Sequence, residues 1–83
     1  MIEIKIDCKN SEFDVSKFQI TGRRAFVEYE LLGLAMLITE AMCSEAKNSN
    51  QAIEIYEHIV NCLKDGCQNG LANYLRANQI GDN

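Results

Sequence analysis

The strongest pattern in the chain is an apolar run near its centre. Residues 31–38 read Leu-Leu-Gly-Leu-Ala-Met-Leu-Ile, without a polar side chain. A surface helix normally shows one apolar stripe, whereas a segment that is apolar all round must be covered on more than one side. The run is also far shorter than the roughly 20 residues that span a bilayer. We therefore predict a long helix that the rest of the chain covers.

Two alternating segments precede this helix. Residues 2–8 place an apolar side chain at every second position, which is typical of a half-buried strand. Residues 13–20 alternate as well, but their phase changes near Ser16 and Lys17. One extra residue there, as in a β-bulge, would return all the apolar side chains to one face. Residues 1–21 are therefore predicted to form a β-hairpin with one apolar face.

Helical periodicity follows over residues 23–47, after Thr21 and Gly22, which offer an N-cap. Apolar residues at three- and four-residue steps form two stripes on this helix, and two stripes imply two packing partners. One partner would be the hairpin and the other a second helix. One stripe consists of Val27, Leu31, Leu34, Ile38 and Ala41.

A second helix is predicted over residues 51–77, capped by the polar segment 48–50. We favour one continuous helix because its apolar stripe runs through Gly66. The alternative is a C-cap at Gly66 followed by a short third helix. The predicted fold is a single α+β domain over residues 1–83, with a β-hairpin followed by a helical hairpin (ββαα).

The apolar content exceeds what two strands and two helices can hide internally. A chain of 83 residues is also marginally stable without staples or a partner. We therefore predict a homodimer or higher homo-oligomer, held by helix packing or by pairing of hairpin edges into a wider sheet. The predicted oligomer interface comprises Val27, Leu31, Leu34, Ile38, Tyr56, Val60, Leu63, Cys67 and Tyr74.

Charge and composition narrow the possible partners. The net charge is −4 and the 8 basic residues are scattered, so we expect no binding to a nucleic-acid backbone. The N-terminal segment lacks the basic and apolar regions of a signal peptide, and no segment is long enough for a membrane span. These features predict a cytoplasmic protein without membrane contact, in which free thiols fit the irregular spacing of the 4 cysteines.

Candidate catalytic chemistry is sparse. The single histidine, His58, lies on the polar side of the second helix, and no nucleophile elbow, phosphate-binding loop or apolar carboxylate pair is visible. The alternative to free thiols is a zinc site formed by His58, Cys62 and Cys67, but the sequence has no C-x-x-C pair. We therefore expect a protein that is not an enzyme and has no metal or cofactor.

Arg23 and Arg24 form the most suggestive short motif. Two arginines in the first turn of a helix oppose the helix dipole, which favours acidic residues there. A phosphate or carboxylate bound at the helix N-terminus would relieve this conflict, and Tyr29 could line such a site in an oligomer. The alternative is that the arginines pair with Glu28 or with acids of the first strand.

The order of two strands and two helices in a small acidic chain resembles the compact proteins that bacteriophages and prophages encode to interfere with host defence. The segments Ile2 to Cys8 and Phe13 to Ile20, with the two helices, carry this architectural resemblance. It implies either inhibition of a host protein or sequestration of a small anionic, nucleotide-like ligand. The candidate surface for a protein partner is acidic and comprises Glu54, Glu57 and Asp65.

Overall fold

The computed structural model describes residues 1–78 and has the predicted order of elements. Strands β1 (Ile2–Lys9) and β2 (Glu12–Ile20) precede helices α1 (Arg24–Cys43) and α2 (Ser49–Asn78). This order confirms the ββαα architecture and the α+β class. The chain divides into two compact units, one over Met1–Ile38 and one from Thr39 onward.

The two strands form an antiparallel hairpin with the predicted bulge. The pairing runs from Ile2 opposite Ile20 to Lys9 opposite Glu12, with an irregularity between Lys5 and Ile6. Ser16 is the extra residue of β2 at this point, and its hydroxyl donates to the carbonyl of Lys5 at 3.4 Å. Because of this extra residue, the apolar residues pair with one another along the whole hairpin. The four apolar pairs are Ile2 with Ile20, Ile4 with Phe18, Ile6 with Val15, and Cys8 with Phe13.

Asn10 and Ser11 make the turn between the strands. Their φ angles are 52° and 65°, so both residues occupy the left-handed region. A two-residue loop with positive φ at both positions has the twist that antiparallel strands require. Asparagine tolerates this conformation better than most residues, whereas serine adopts it at a cost.

Helix α1 is shorter than predicted at both ends. The carbonyl of Arg23 accepts the first helical hydrogen bonds, from the N–H groups of Phe26 and Val27, each at 3.0 Å. Thr21 is therefore not the N-cap, because its backbone pairs with Met1 and extends the hairpin ladder. At the other end, the Ser44 hydroxyl donates to the carbonyl of Ala41 at 2.6 Å. This side-chain bond competes with continuation of the helix, which ends before residue 44 instead of at 47.

Helix α2 begins at a well-formed cap and continues past both of its glycines. The Asn48 side chain accepts a hydrogen bond from the N–H of Gln51 at 2.8 Å, and the Gln51 side chain accepts one from the N–H of Lys47 at 2.7 Å. The alternative break at Gly66 is wrong, since α2 is one helix of 30 residues. A glycine costs only about 1 kcal/mol in a helix interior, which a long capped helix can absorb.

Very few side chains are buried within residues 1–78. Ile59 of α2, with 9% of its surface exposed, is the only buried hydrophobic residue there, and α1 contains none. Residues 31–38 are therefore only partly covered, since Gly33, Leu34 and Ala35 are half-buried and the others are exposed. Leu37 is 66% exposed and Leu32 is 55% exposed. The apolar pattern predicts that these side chains need a cover, and it does not identify what supplies it.

Candidate interaction surfaces

The apolar side of the hairpin is an open surface. We call it the hairpin face, and it comprises Ile2, Ile4, Ile6, Cys8, Phe13, Val15, Phe18 and Ile20. Phe13 is 74% exposed and Phe18 is 63% exposed. A two-stranded hairpin is at best marginally stable in water, so this face needs a packing partner.

The opposite side of the hairpin is charged, and like charges face each other across the strands. Lys5 lies opposite Lys17, and Asp7 lies opposite Asp14. Such pairs destabilise a sheet unless opposite charges lie nearby. An ion pair between the Lys17 ammonium and the Glu3 carboxylate offsets one of these repulsions. Among the residues described, no ion pair offsets the repulsion between Asp7 and Asp14.

A cleft of about 550 Å³ lies between the start of β1 and the middle of α1. The N-terminal ammonium of Met1 pairs with the Glu30 carboxylate at 2.9 Å. The other lining residues are Ile2, Ile4, Gly33, Leu34 and Leu37. The cleft is open and mostly apolar, and Glu30 contributes its one ionisable side chain. This lining suits an apolar side chain of another protein better than an anionic ligand.

The predicted ligand-binding residues do not converge within one chain. Arg23 and Arg24 are both exposed, and neither forms an ion pair within residues 1–78, so the expected pairing with Glu28 is not observed there. Tyr29 is 75% exposed and lines a shallow hollow with Ala25, Glu28 and Leu32. It lies about 140° around the helix from Arg24, given 3.6 residues per turn. A site that uses both Tyr29 and Arg24 would therefore need residues from a second chain.

The predicted oligomer stripes are largely exposed. On α1, Val27 and Leu34 are half-buried, whereas Leu31 and Ile38 are exposed. On α2, the stripe is exposed throughout and comprises Tyr56, Val60, Leu63, Cys67 and Tyr74. Sequence reasoning left Ile59 out of this stripe, although it follows Ile55 by four residues, and the two share the more buried side of the helix.

The predicted partner surface lies on the exposed polar side of α2. We call it the acidic face, and it comprises Glu54, Glu57 and Asp65. These positions fall within about 80° of one another around the helix axis. None of the three forms an ion pair within the part of the chain that the structure describes. The acidic face is therefore accessible to a basic partner.

The zinc alternative has no geometric support. Residues 1–78 contain no cluster of His, Cys, Asp and Glu side chains that could hold a metal ion, so His58, Cys62 and Cys67 do not converge. The four cysteines are free thiols. The Cys43 Sγ donates to the carbonyl of Ala52 at 3.6 Å, which links the end of α1 to the first turn of α2.

No helix within residues 1–78 has the length and hydropathy needed to cross a membrane. Comparison with protein-family models, with curated proteins and with solved structures gave no match to this chain.

Proposed function

We propose that the protein is a non-enzymatic interaction protein that self-associates through its exposed apolar surface. The supporting observation is the imbalance between buried and exposed side chains. Across the described chain, 22 large hydrophobic side chains are at least 40% exposed, while one hydrophobic residue is buried. Soluble monomers rarely leave large contiguous apolar patches in water, and such patches mark interaction sites.

The hairpin face alone makes self-association energetically important. Six of its side chains are 44% to 74% exposed, namely Ile4, Ile6, Phe13, Val15, Phe18 and Ile20. Full burial of a large apolar side chain contributes about 1.5–3 kcal/mol of free energy. Because about half of each of these side chains is still exposed to water, roughly half of that free energy would be gained on association. The six together would contribute about 5–9 kcal/mol per copy, as an upper value. This amount is comparable to the whole stability of a small domain.

Size-exclusion chromatography coupled to light scattering, over a wide range of protein concentrations, tests self-association directly. Phe18→Ser should raise the dissociation constant of the oligomer roughly 30- to 1000-fold. Two symmetric copies would each lose about 1–2 kcal/mol of the free energy gained by burying this side chain. Gln19→Ser, on the charged side of the same strand, is the matched control and should leave the assembly unchanged. A wild-type protein that stays monomeric at every concentration would contradict the proposal.

We further propose that the acidic face binds a protein partner. The architectural resemblance to phage and prophage host-interference proteins suggests that this partner is a host protein. The face is exposed and free of ion pairs within residues 1–78, which supports a role in recognition by charge. Reversing its charges with Glu54→Lys, Glu57→Lys and Asp65→Lys should abolish the protein's biological effect in the host.

A control for the acidic face must change the net charge by the same amount elsewhere. The triple variant Asp14→Lys, Glu28→Lys and Glu45→Lys does so at exposed positions outside the acidic face. This control variant should keep the biological effect in the host if that effect depends on the acidic face. Equal loss of the effect in both triple variants would show that net charge matters and that the acidic face has no special role.

Sequestration of a small anionic, nucleotide-like ligand is the second candidate. It is favoured by the two exposed arginines at the start of α1, which form no ion pair in the described chain. Thermal stabilisation by a panel of mononucleotides should then disappear in the double variant Arg23→Glu and Arg24→Glu. The double variant Lys47→Glu and Lys64→Glu is the matched control. No stabilisation by any nucleotide, or stabilisation that survives in the arginine variant, would rule out this site.

A further inference from the structure

Within residues 1–78, the outer edge of β1 is a regular strand edge with no strand beside it. The sheet described for residues 1–78 has the order β1-β2, so the other side of β1 is open there. Met1 and Thr21 exchange backbone hydrogen bonds, and the bond from the Thr21 N–H measures 2.8 Å. Backbone groups alternate in direction along a strand, so the odd-numbered residues of β1 face β2. The even-numbered residues therefore direct their N–H and C=O groups outward, and they are Ile2, Ile4, Ile6 and Cys8.

The outer edge of β2 is less suited to pairing. Its ladder is interrupted by the extra residue Ser16, and a bulge of this kind bends an edge strand and discourages further pairing. Strand β1 has no such interruption over its 8 residues. A second chain that extends the sheet would therefore add to β1.

We propose that two copies of this chain pair antiparallel through the outer edges of β1, with Ile6 opposite Ile6 at the two-fold axis. This inference rests on the proposed self-association and specifies one strand-edge contact of it, which leaves the hairpin face available for the burial proposed above. The product is a four-stranded sheet in the order β2-β1-β1-β2. Each Lys5 then lies opposite Asp7 of the second copy, and each Glu3 lies opposite Lys9 of the second copy.

Charge selects this pairing over its neighbours. Centring the pair on Lys5 would place Lys5 opposite itself and Glu3 opposite Asp7, and centring it on Asp7 would place Lys5 opposite Lys9. Both arrangements oppose like charges, which destabilises a sheet. Centring on Ile4 would match charges but would pair only residues 2–6, whereas centring on Ile6 pairs residues 3–9. A centre that falls between two residues would place apolar side chains opposite charged ones.

The same pairing accounts for the like charges inside the hairpin. Lys5 faces Lys17 on one side, and the proposed dimer supplies Asp7 of the second copy on the other. Asp7 faces Asp14, and the dimer supplies Lys5 of the second copy. Even-numbered residues of β1 pair only with even-numbered residues, so the two hairpin faces join into one wider apolar surface on a single side of the sheet.

A complementary pair of charge reversals tests this geometry. Lys5→Glu and Asp7→Lys should each raise the dissociation constant of the homodimer roughly tenfold to a hundredfold, because two attractive contacts per dimer become repulsive. An equimolar mixture of the two variants should restore dimerisation, since the introduced glutamate then faces the introduced lysine and the native Asp7 faces the native Lys5. Native mass spectrometry with one variant isotopically labelled would detect the mixed dimer.

Asp14→Lys is the matched control for Asp7→Lys. Both variants relieve the repulsion between Asp7 and Asp14 within the hairpin, but only Asp7→Lys places a lysine against Lys5 of the second copy. Asp14→Lys should therefore leave the dimer intact. A wild-type dimer that Lys5→Glu and Asp7→Lys do not weaken would overturn the β1 pairing and leave self-association standing. A wild-type monomer at all concentrations would overturn both.

Discussion

Gly22, between the hairpin and α1, is a position where alanine should be strongly destabilising. Its φ angle is +114°, outside the region that residues with a side chain adopt readily. A Cβ atom added there would lie 3.5 Å from the Met1 nitrogen, which is an ordinary van der Waals distance. The cost of Gly22→Ala would therefore come from backbone strain and not from a steric clash.

The magnitude follows from the conformational cost and the length of the chain. Holding a residue with a side chain in a sparsely populated backbone region costs about 1–3 kcal/mol. The unfolding entropy of an 83-residue chain is about 0.17 kcal/mol/K. Gly22→Ala should therefore lower the Tm by about 6–17 °C.

Thermal unfolding followed by circular dichroism at one fixed protein concentration measures this change. Gly33→Ala in α1 is the matched control, since nothing lies within 4 Å of the Cβ that it would add. Removing a glycine from a helix interior contributes about 1 kcal/mol, so the control should raise the Tm by about 6 °C. A Tm for Gly22→Ala equal to that of the wild type would refute the link between its φ angle and stability.

Two further predictions concern the hairpin. Ser11→Gly should raise the free energy of unfolding by about 0.5–1 kcal/mol, because glycine adopts the observed φ of 65° without strain. A lower free energy of unfolding, measured by denaturant titration, would contradict this turn geometry. Deleting Ser16 should retain cooperative thermal unfolding, because Val15 still faces Ile6 and Lys17 still faces Lys5, whereas deleting Asp14 places Val15 opposite Asp7 on the charged side and should abolish it. Equal Tm values for the two deletions would show that the strand register does not determine stability.

Local patterns were sufficient to predict the elements of this protein. The phase change near Ser16 predicted the bulge because side chains alternate strictly along a strand, so an extra residue leaves a visible trace. Asn48 was predicted as part of a cap because capping depends on residues only a few positions apart. The end of α1 was placed too late, since the competing bond from the Ser44 hydroxyl has no signature in the apolar pattern.

The candidate surfaces were predicted less completely because they depend on residues distant in sequence. The acidic face was visible in advance, since its residues lie on one side of one helix. The opposition of Asp7 to Asp14 became visible only with the strand register, and the open edge of β1 only with the order of the sheet.

The amino-acid sequence by itself determined the order of strands and helices, the bulge, the cap of α2 and the presence of an excess of apolar side chains. These features follow from residue spacing and from interactions within a few positions. The tertiary structure decided that Leu32 and Leu37 are exposed and that Arg24 and Tyr29 do not share a face. Burial depends on which surfaces meet in space, and a periodic pattern shows that a face must be covered without identifying what covers it.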